Sequence, residues 1–199
     1  MPIKEKIIPR KHQKEALHAW KTSKQRGFVS LPTGSGKTIL AVMAIAHASR
    51  STLVVVPTID LMNQWCETLS KYFSVPIGKL GGGCKDYQDI LVTTYDSARM
   101  IIEHKGAEFG MLVIDECHHL LHHWGTILST IKDLFGEPVI LGLTATPPDQ
   151  AELKSKEKYL SLLGEVDYHV PIPALVRDSN LAPYQDLVQF VRPTAKEMK

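Results

Sequence analysis

Residues 31–38 read Leu31-Pro32-Thr33-Gly34-Ser35-Gly36-Lys37-Thr38, and this stretch decides the fold. An apolar run, residues 28–30, precedes it and an alanine-rich segment, residues 39–48, follows, so the pattern predicts a strand, a glycine turn and a helix. Glycines in such a turn let successive backbone N–H groups converge on an anion, and the helix N-terminus adds a partial positive charge. The turn is therefore a candidate phosphate loop. Its expected ligand-binding residues are Thr33, Gly34, Ser35, Gly36, Lys37 and Thr38.

Two side chains at the end of the phosphate loop suit a nucleoside triphosphate. Lys37 supplies a point charge for the β- and γ-phosphates, and the Thr38 hydroxyl can ligate the Mg²⁺ that accompanies a nucleotide. The general pattern G-x-x-x-x-G-K-[ST] is not fully met, because Leu31 stands where the first glycine would fall. The competing interpretation is an ordinary glycine-rich turn beside a lysine, which the strand before it and the helix after it disfavour.

Length and composition indicate a globular protein. A chain of 199 residues is long enough for one well-filled domain and short for two. The longest apolar runs, such as residues 53–56 and 111–114, are far too short to span a bilayer, and residues 1–30 contain no continuous apolar segment typical of a signal peptide. We therefore expect no membrane partner and a cytoplasmic or nucleoid-associated location.

Charge is distributed unevenly along the chain. The net charge is +2, but residues 1–26 hold eight basic and two acidic side chains, which leaves +6 there and −4 elsewhere. A basic segment of this kind suits contact with phosphates, and it equally suits a solvated helix face. Charge alone leaves both interpretations open.

Several β-branched runs predict buried strands. The strongest cover residues 51–57, 90–95, 111–114 and 139–143, with a shorter one at 75–80 and a further candidate at 187–191. Helical patterns separate them, including a helix capped by Thr58 with Leu61, Trp65 and Leu69 on its core side, another at 126–135 and a charged one at 149–163. We expect an α/β fold with a mostly parallel sheet and helices on both faces.

An acidic pair, Asp115 and Glu116, follows the run 111–114. Open α/β sheets carry their chemistry at the carboxyl ends of the strands. There Asp115 can hold Mg²⁺, and Glu116 can orient and deprotonate an attacking water. His118 can hydrogen-bond toward the loop Thr144-Ala145-Thr146 that leaves the next strand. The expected catalytic set is Lys37, Asp115, Glu116 and His118, with Thr38 and Asp115 as metal ligands.

Two weaker signals flank this set. Gln13 lies upstream of the phosphate loop, and its amide offers the donor and acceptor needed to pair with an adenine edge, although an exposed helical glutamine is commonplace. Four histidines, His118, His119, His122 and His123, form two i, i+4 pairs if their segment is helical, and such pairs can bind zinc. No carboxylate or cysteine obviously completes a zinc site, so we expect surface or packing histidines instead.

The motifs together resemble those of a known family. Residues 33–38, 115–118 and 144–147 resemble motifs I, II and III of DExH-type superfamily 2 helicases, in the same order. Residues 141–147 read Leu-Gly-Leu-Thr-Ala-Thr-Pro, a stretch shared by xeroderma pigmentosum group B-type helicases and by translocase subunits of type III restriction enzymes. The resemblance covers residues 9–190, and motifs I, II and III are its most specific part.

The resemblance implies further roles. Arg10 with Gln13 is similar to the family's adenine-recognition element, and Thr144 with Thr146 to the element that couples ATP to the rest of the molecule. The triplet Gly81-Gly82-Gly83 is a loop whose bare backbone can approach a ligand closely. Together with the positions similar to the family's backbone-gripping motifs, it defines an expected nucleic-acid face. The members of this face are Pro57, Thr58, Gln64, Gly82, Thr94 and Tyr95.

The family's architecture also implies an organisation for this chain. Its members have two RecA-like lobes with ATP and Mg²⁺ between them, and this sequence contains no Gln-x-x-Gly-Arg-x-x-Arg stretch, the motif of the second lobe. We expect a basic segment with the adenine-recognition element at 1–27, a RecA-like ATP-binding domain at 28–165, and a segment leading toward a second lobe at 166–199. That lobe would be supplied in cis or in trans.

The expected function is ATP-driven movement on, or unwinding of, nucleic acid, with DNA favoured over RNA by resemblance. Two alternatives from other classes stay open. One is a P-loop NTPase that does not act on nucleic acid, and the other is a non-catalytic nucleic-acid-binding module.

Overall fold

A computed structural model of the chain describes residues 1–103, 108–118, 125–136, 138–146, 161–164 and 166–182. The strands within these ranges are β1 (Arg26–Ser30), β2 (Thr52–Val56), β3 (Ile77–Gly81), β4 (Cys84–Asp86), β5 (Ile90–Thr94), β6 (Met111–Asp115), β7 (Val139–Thr144) and β8 (Val166–His169). They form one sheet in the order β4-β3-β5-β2-β6-β7-β1-β8. All neighbouring strands are parallel except β3 and β4, so the expected mostly parallel α/β sheet is confirmed.

Helices cover both faces of the sheet. The described ones are α1 (Lys11–Thr22), α2 (Lys37–Ala48), α3 (Ile59–Tyr72), α4 (Arg99–Glu103), α5 (Gly125–Leu134) and α6 (Ile172–Arg177). One apolar cluster joins the sheet to α1, α2, α3 and α6, and a second joins the other face to α4 and α5. Because β2, β5 and β6 are buried at every residue, their sequences are nearly continuous apolar runs instead of alternating ones.

Local signals explain where α3 begins and which face it buries. The Thr58 hydroxyl accepts a hydrogen bond from the backbone N–H of Leu61 at 3.2 Å, which satisfies one of the unpaired donors of the first turn. Met62, Trp65 and Leu69 recur at helical spacing and are buried. This places the start of α3 at the carboxyl end of β2.

The part of the chain after residue 165 contributes to the same sheet. Strand β8 pairs in parallel with β1, and Leu175 of α6 is buried in the cluster that contains α1 and α2. The helix expected at 149–163 lies mostly outside the described residues, and the strand expected at 187–191 lies wholly outside them. The division at 27 and 165 stays a prediction.

No helix in the described part of the chain is both long and apolar enough to cross a membrane.

Candidate active site

The phosphate loop connects β1 to α2 at the carboxyl edge of the sheet. Gly34 and Gly36 have φ angles of +80° and +88°, a conformation that side chains with a Cβ rarely adopt. A Cβ on Gly36 would lie 2.4 Å from Nε2 of Gln13, so a larger residue is excluded there for a second reason. Lys37 and Thr38 lie in the first turn of α2, both half-buried. The N-terminus of a twelve-residue helix therefore points at the loop.

Two side chains of α1 support the loop from beneath. Nε2 of Gln13 donates to the carbonyls of Ser35 at 3.2 Å and of Gly36 at 3.1 Å. The ring Nε2 of His12 lies 2.9 Å from the same Ser35 carbonyl, and the Ser35 hydroxyl donates to the carbonyl of Pro32 at 2.6 Å. These contacts orient the peptide groups of the loop before any ligand binds.

The orientation of Gln13 differs from the sequence-based expectation. Its Oε1 accepts from the backbone N–H of Arg10 at 2.9 Å, so both polar atoms of the Gln13 side chain contact the chain itself. The Arg10 guanidinium donates to the carbonyl of Asn180 at 3.1 Å, between α6 and the end of the described chain. Adenine recognition by Arg10 and Gln13 stays a prediction, and the contacts of Gln13 indicate a role in supporting the phosphate loop.

The acidic pair lies directly opposite the phosphate loop. Nζ of Lys37 is 3.0 Å from Oε1 of Glu116, and both side chains are shielded from most solvent. Glu116 has a φ of +48°, which is unusual for a residue with a side chain and typical of strained functional sites. The predicted proximity of these residues at the strand ends is therefore seen in the structure.

Asp115 is held more firmly than its neighbour. Its Oδ2 accepts from the indole Nε1 of Trp65 at 2.8 Å, and its Oδ1 accepts from the backbone N–H of Glu116 at 3.0 Å. The side chain is 6% exposed. Burial raises the pKa of Asp115 above its usual value, and the Glu116 carboxylate raises it further against the lowering effect of the Trp65 hydrogen bond and of Lys37.

The residues present fit a Mg²⁺ ion. Asp115 and Thr38 offer hard oxygen donors, the type that Mg²⁺ prefers. Asp115 is buried, and a divalent cation would offset the cost of burying its negative charge. The two hydrogen bonds to the carboxylate leave a lone pair on each oxygen for ligation.

His118 connects the acidic pair to the loop after β7. Its Nδ1 lies 2.9 Å from Oγ1 of Thr144 and 3.4 Å from Oε2 of Glu116. The Thr144 hydroxyl also lies 3.0 Å from the carbonyl oxygen of Thr146 and accepts from the Thr146 backbone N–H at 3.1 Å. The expected contact is present, whereas the coupling role stays a prediction. His119, His122 and His123, on which the zinc alternative depends, lie outside the described residues.

A cleft of about 480 Å³ adjoins the phosphate loop. It is lined by residues of three segments: Pro32 and Thr33, Ala145 and Thr146, and Ile172, Leu181 and Ala182. The cleft therefore opens between motif I, motif III and the segment that follows α6.

The expected nucleic-acid face divides into exposed and buried members. Thr58, Gln64 and Gly82 are exposed and Pro57 is half-buried, near the carboxyl ends of β2 and β3. Thr94 and Tyr95 are buried, and their predicted role in nucleic-acid binding stays a prediction. Oγ1 of Thr94 donates to the Ser97 hydroxyl at 3.0 Å, and the Tyr95 hydroxyl donates to the backbone carbonyl of Asp115 at 2.8 Å. Neither side chain is available to a nucleic acid in this structure.

Sequence reasoning missed three contributions to the site. His12 was overlooked, although His12, Ala16 and Trp20 form a buried stripe at spacing i, i+4, i+8 that a helical pattern can reveal. Trp65 was placed only in the core, and Tyr95 only on the nucleic-acid face. No sequence signal shows that either contacts Asp115, because those contacts depend on which strands are neighbours.

Two solved structures with a similar fold are described as a helicase and as an ATPase core. The UvsW helicase from bacteriophage T4 superposes with a TM-score of 0.68 at 24% identity, covering 84% of this chain and 64% of that chain. The Sulfolobus solfataricus SWI2/SNF2 ATPase core, solved in complex with double-stranded DNA, superposes with a TM-score of 0.66 at 21% identity, covering 82% and 37%. The fold is thus that of a RecA-like lobe.

Sequence comparison identifies the family. Residues 6–149 match the family described as type III restriction enzyme, res subunit, and the chain belongs to this family. It is 40% identical over 197 residues to the DNA 3'-5' translocase XPB2 of Sulfurisphaera tokodaii, covering 99% of this chain and 43% of that protein. It is 31% identical over 134 residues to the DNA 3'-5' helicase XPB of Mycobacterium tuberculosis, covering 60% and 23%. The chain spans less than half the length of these relatives.

Proposed function

We propose that this chain is the ATP-binding lobe of a nucleic-acid-dependent ATPase that couples ATP hydrolysis to movement on DNA. The observation that carries the proposal is the meeting of Lys37, Glu116 and Asp115 at one edge of the sheet, with Lys37 and Glu116 3.0 Å apart. A phosphate-binding cation and two carboxylates at that spacing are the groups that phosphoryl transfer to water requires.

Each residue has a distinct part in this proposal. Backbone N–H groups of the phosphate loop and Lys37 bind the triphosphate, while Asp115 and Thr38 would hold Mg²⁺, which neutralises phosphate charge when bound. Glu116 leaves Lys37 as the phosphates arrive, and its carboxylate then orients a water and accepts its proton. His118 relays the position of Glu116 to Thr144 and the loop after it.

The partners follow from the relatives and from the exposed face. A relative at 40% identity over nearly the whole of this chain is described as a DNA 3'-5' translocase, which favours DNA over RNA as the nucleic acid that is bound. Pro57, Thr58, Gln64 and Gly82 are the proposed contacts to its sugar–phosphate backbone. A second RecA-like lobe, in cis or in trans, would complete the ATP site from the side of the 480 Å³ cleft. Such a protein would work in the cytoplasm or on the nucleoid.

Binding measurements on the chain test the proposal against its alternatives. ATP binding by calorimetry and DNA binding by fluorescence anisotropy should both be detectable. DNA affinity should be weak, insensitive to sequence and steeply reduced by salt, because a backbone grip releases counterions and reads no base edges. ATP binding without any DNA or RNA binding would instead favour an NTPase of another kind. Nucleic-acid binding without ATP binding would favour a non-catalytic module.

A further inference from the structure

The orientation of the Asp115 carboxylate depends on a side chain of the helix α3. The indole Nε1 of Trp65 donates to Oδ2 of Asp115 at 2.8 Å, and Trp65 is 2% exposed. Because the backbone N–H of Glu116 holds Oδ1, the carboxylate cannot rotate without breaking one of two buried hydrogen bonds. The proposed metal ligand is thus held in place by α3.

A second side chain holds the backbone of the same residue. The hydroxyl of Tyr95 donates to the carbonyl oxygen of Asp115 at 2.8 Å, and Tyr95 is 2% exposed. Asp115 is therefore held through its side chain by Trp65 and through its main chain by Tyr95.

Trp65 lies on a helix that begins next to a proposed nucleic-acid contact, and Tyr95 is hydrogen-bonded to the end of the strand that precedes the same contact. Trp65 lies seven residues after Thr58 on one continuous helix, a distance of about 10 Å along the axis. Tyr95 directly follows Thr94, the last residue of β5, and its backbone N–H donates to the carbonyl of Val56 at the end of β2. A displacement of the segment around Pro57 and Thr58 therefore reaches Asp115 through a helix and through a paired strand end.

We infer that Trp65 and Tyr95 are positioning residues that link nucleic-acid binding to the carboxylate Asp115, on a route separate from His118 and Thr144. The inference rests on the proposed function, because it takes the nucleic-acid contacts and the metal ligand from that proposal. It assigns to two buried side chains a coupling role that their packing alone does not require. Coupling between binding sites is reciprocal. Mg²⁺-nucleotide binding must therefore change the affinity for DNA by the same factor by which DNA changes the affinity for the Mg²⁺-nucleotide.

The chain contains a matched control for the purely structural interpretation. Trp20 is fully buried, and its Nε1 donates to the backbone carbonyl of Ile140 at 2.7 Å. Its environment resembles that of Trp65 except that the acceptor is a strand carbonyl instead of a functional carboxylate. Trp20→Phe and Trp65→Phe thus remove comparable buried hydrogen bonds, and only the second touches Asp115.

The experiment measures two binding quantities on the chain and on the variants Trp65→Phe, Tyr95→Phe and Trp20→Phe. The first is the affinity for a fluorescent DNA duplex with and without Mg²⁺ and a non-hydrolysable ATP analogue. The second is the Mg²⁺ concentration that gives half of the metal-dependent gain in ADP affinity, determined by calorimetry without DNA. Thermal unfolding verifies that each variant is folded under the conditions used.

We expect the Mg²⁺-bound nucleotide to change the DNA affinity of the unmodified chain by at least about fivefold. The ratio of the DNA affinities with and without nucleotide should fall toward one in Trp65→Phe and Tyr95→Phe. The Mg²⁺ concentration that gives half of the gain in ADP affinity should rise about tenfold in Trp65→Phe, as is usual when a hydrogen-bond partner of a metal ligand is removed. Trp20→Phe should leave both quantities within about twofold.

Other results overturn the inference. If Trp65→Phe and Tyr95→Phe retain the full ratio, or if Trp20→Phe loses it equally, these hydrogen bonds carry no specific coupling. The inference is also refuted if the unmodified chain binds both ligands but has the same DNA affinity with and without the nucleotide. That result would leave the proposed function intact. If the unmodified chain binds neither nucleotide nor DNA, the proposed function fails, and the inference fails with it.

Discussion

Nζ of Lys37 lies 3.0 Å from Oε1 of Glu116, which joins the cation of the phosphate loop to the carboxylate at the end of β6. A triphosphate must take Lys37 away from this pair in order to bind. The same step frees the Glu116 carboxylate to contact a water molecule. The ion pair therefore prevents the proposed base from acting on water until a nucleotide binds.

Replacing Glu116 with glutamine should therefore separate binding from turnover. We expect Glu116→Gln to bind ATP about fivefold more tightly, since it removes a competing partner worth about 1 kcal/mol at a partly exposed pair. Turnover by the complete enzyme should be abolished. Calorimetry measures the affinity, and Glu103→Gln, an exposed carboxylate on α4, is the matched control. Weaker ATP binding in Glu116→Gln would show that the pair does not oppose the nucleotide.

Replacing Lys37 with alanine should have the opposite effect on affinity. The variant lacks the cation that faces the phosphates and leaves the Glu116 carboxylate without its lysine partner, so ATP affinity should fall by roughly 100-fold or more. Lys71→Ala removes an exposed lysine of α3 and should leave affinity unchanged. Unaltered ATP binding in Lys37→Ala would refute the phosphate-loop assignment.

The contacts of Gln13 predict how its loss affects different nucleotides. Gln13→Ala removes two hydrogen bonds to carbonyls of the phosphate loop, so ATP and GTP should weaken equally, by about tenfold. Adenine recognition predicts instead that ATP alone weakens and approaches GTP. Competition binding with both nucleotides distinguishes the two roles, and Gln88→Ala, remote from the loop, is the control.

Asp167 on β8 should make stability depend on pH. Burial raises its pKa from 3.8 to about 6, against the lowering effect of a hydrogen bond with Ser23. The folded chain thus holds this proton more tightly than the unfolded chain, and the resulting stability is present below pH about 4 and lost as the pH rises through about 6.

Asp167→Asn should accordingly be more stable than the unmodified chain above pH 6, by no more than about 1 kcal/mol because the carboxyl is only half-buried and solvent screens it. The difference should vanish near pH 4, as measured by urea unfolding across this range. Asp89→Asn, at an exposed position, controls for the loss of one charge. A difference that is constant with pH would show that Asp167 ionises normally.

The strands were predictable where they are buried on both faces. Thr52–Val56 and Met111–Asp115 are continuous apolar runs because helices cover each side of the sheet, and such runs show in the sequence. Strand β8, Val166–His169, was not anticipated, since it lies at the edge of the sheet and is short and polar. Its pairing with β1 joins residues more than 130 positions apart, which local patterns do not record.

The residues of the candidate site at the ends of strands and helices were predictable from the sequence, whereas the contacts that hold Asp115 were not. Lys37, Asp115 and Glu116 stand at strand and helix ends, where the rule for open α/β sheets brings them together. The contact between Trp65 and Asp115 requires β2 and β6 to be neighbours, and that adjacency follows from the order of the whole sheet. The burial of Tyr95 and its contact with Asp115 depend on the order of the strands in the same way.

Steady-state ATP hydrolysis, by the chain alone and by the chain joined to a second RecA-like lobe, tests the central claim most directly. An arginine supplied by an opposing domain is worth on the order of 10³ to 10⁵ in rate. We predict that the chain alone hydrolyses ATP barely, that the two-lobe protein hydrolyses it with stimulation by DNA, and that Glu116→Gln eliminates this activity. Brisk, DNA-stimulated hydrolysis by the 199-residue chain alone, or two-lobe activity indifferent to DNA, would contradict the account.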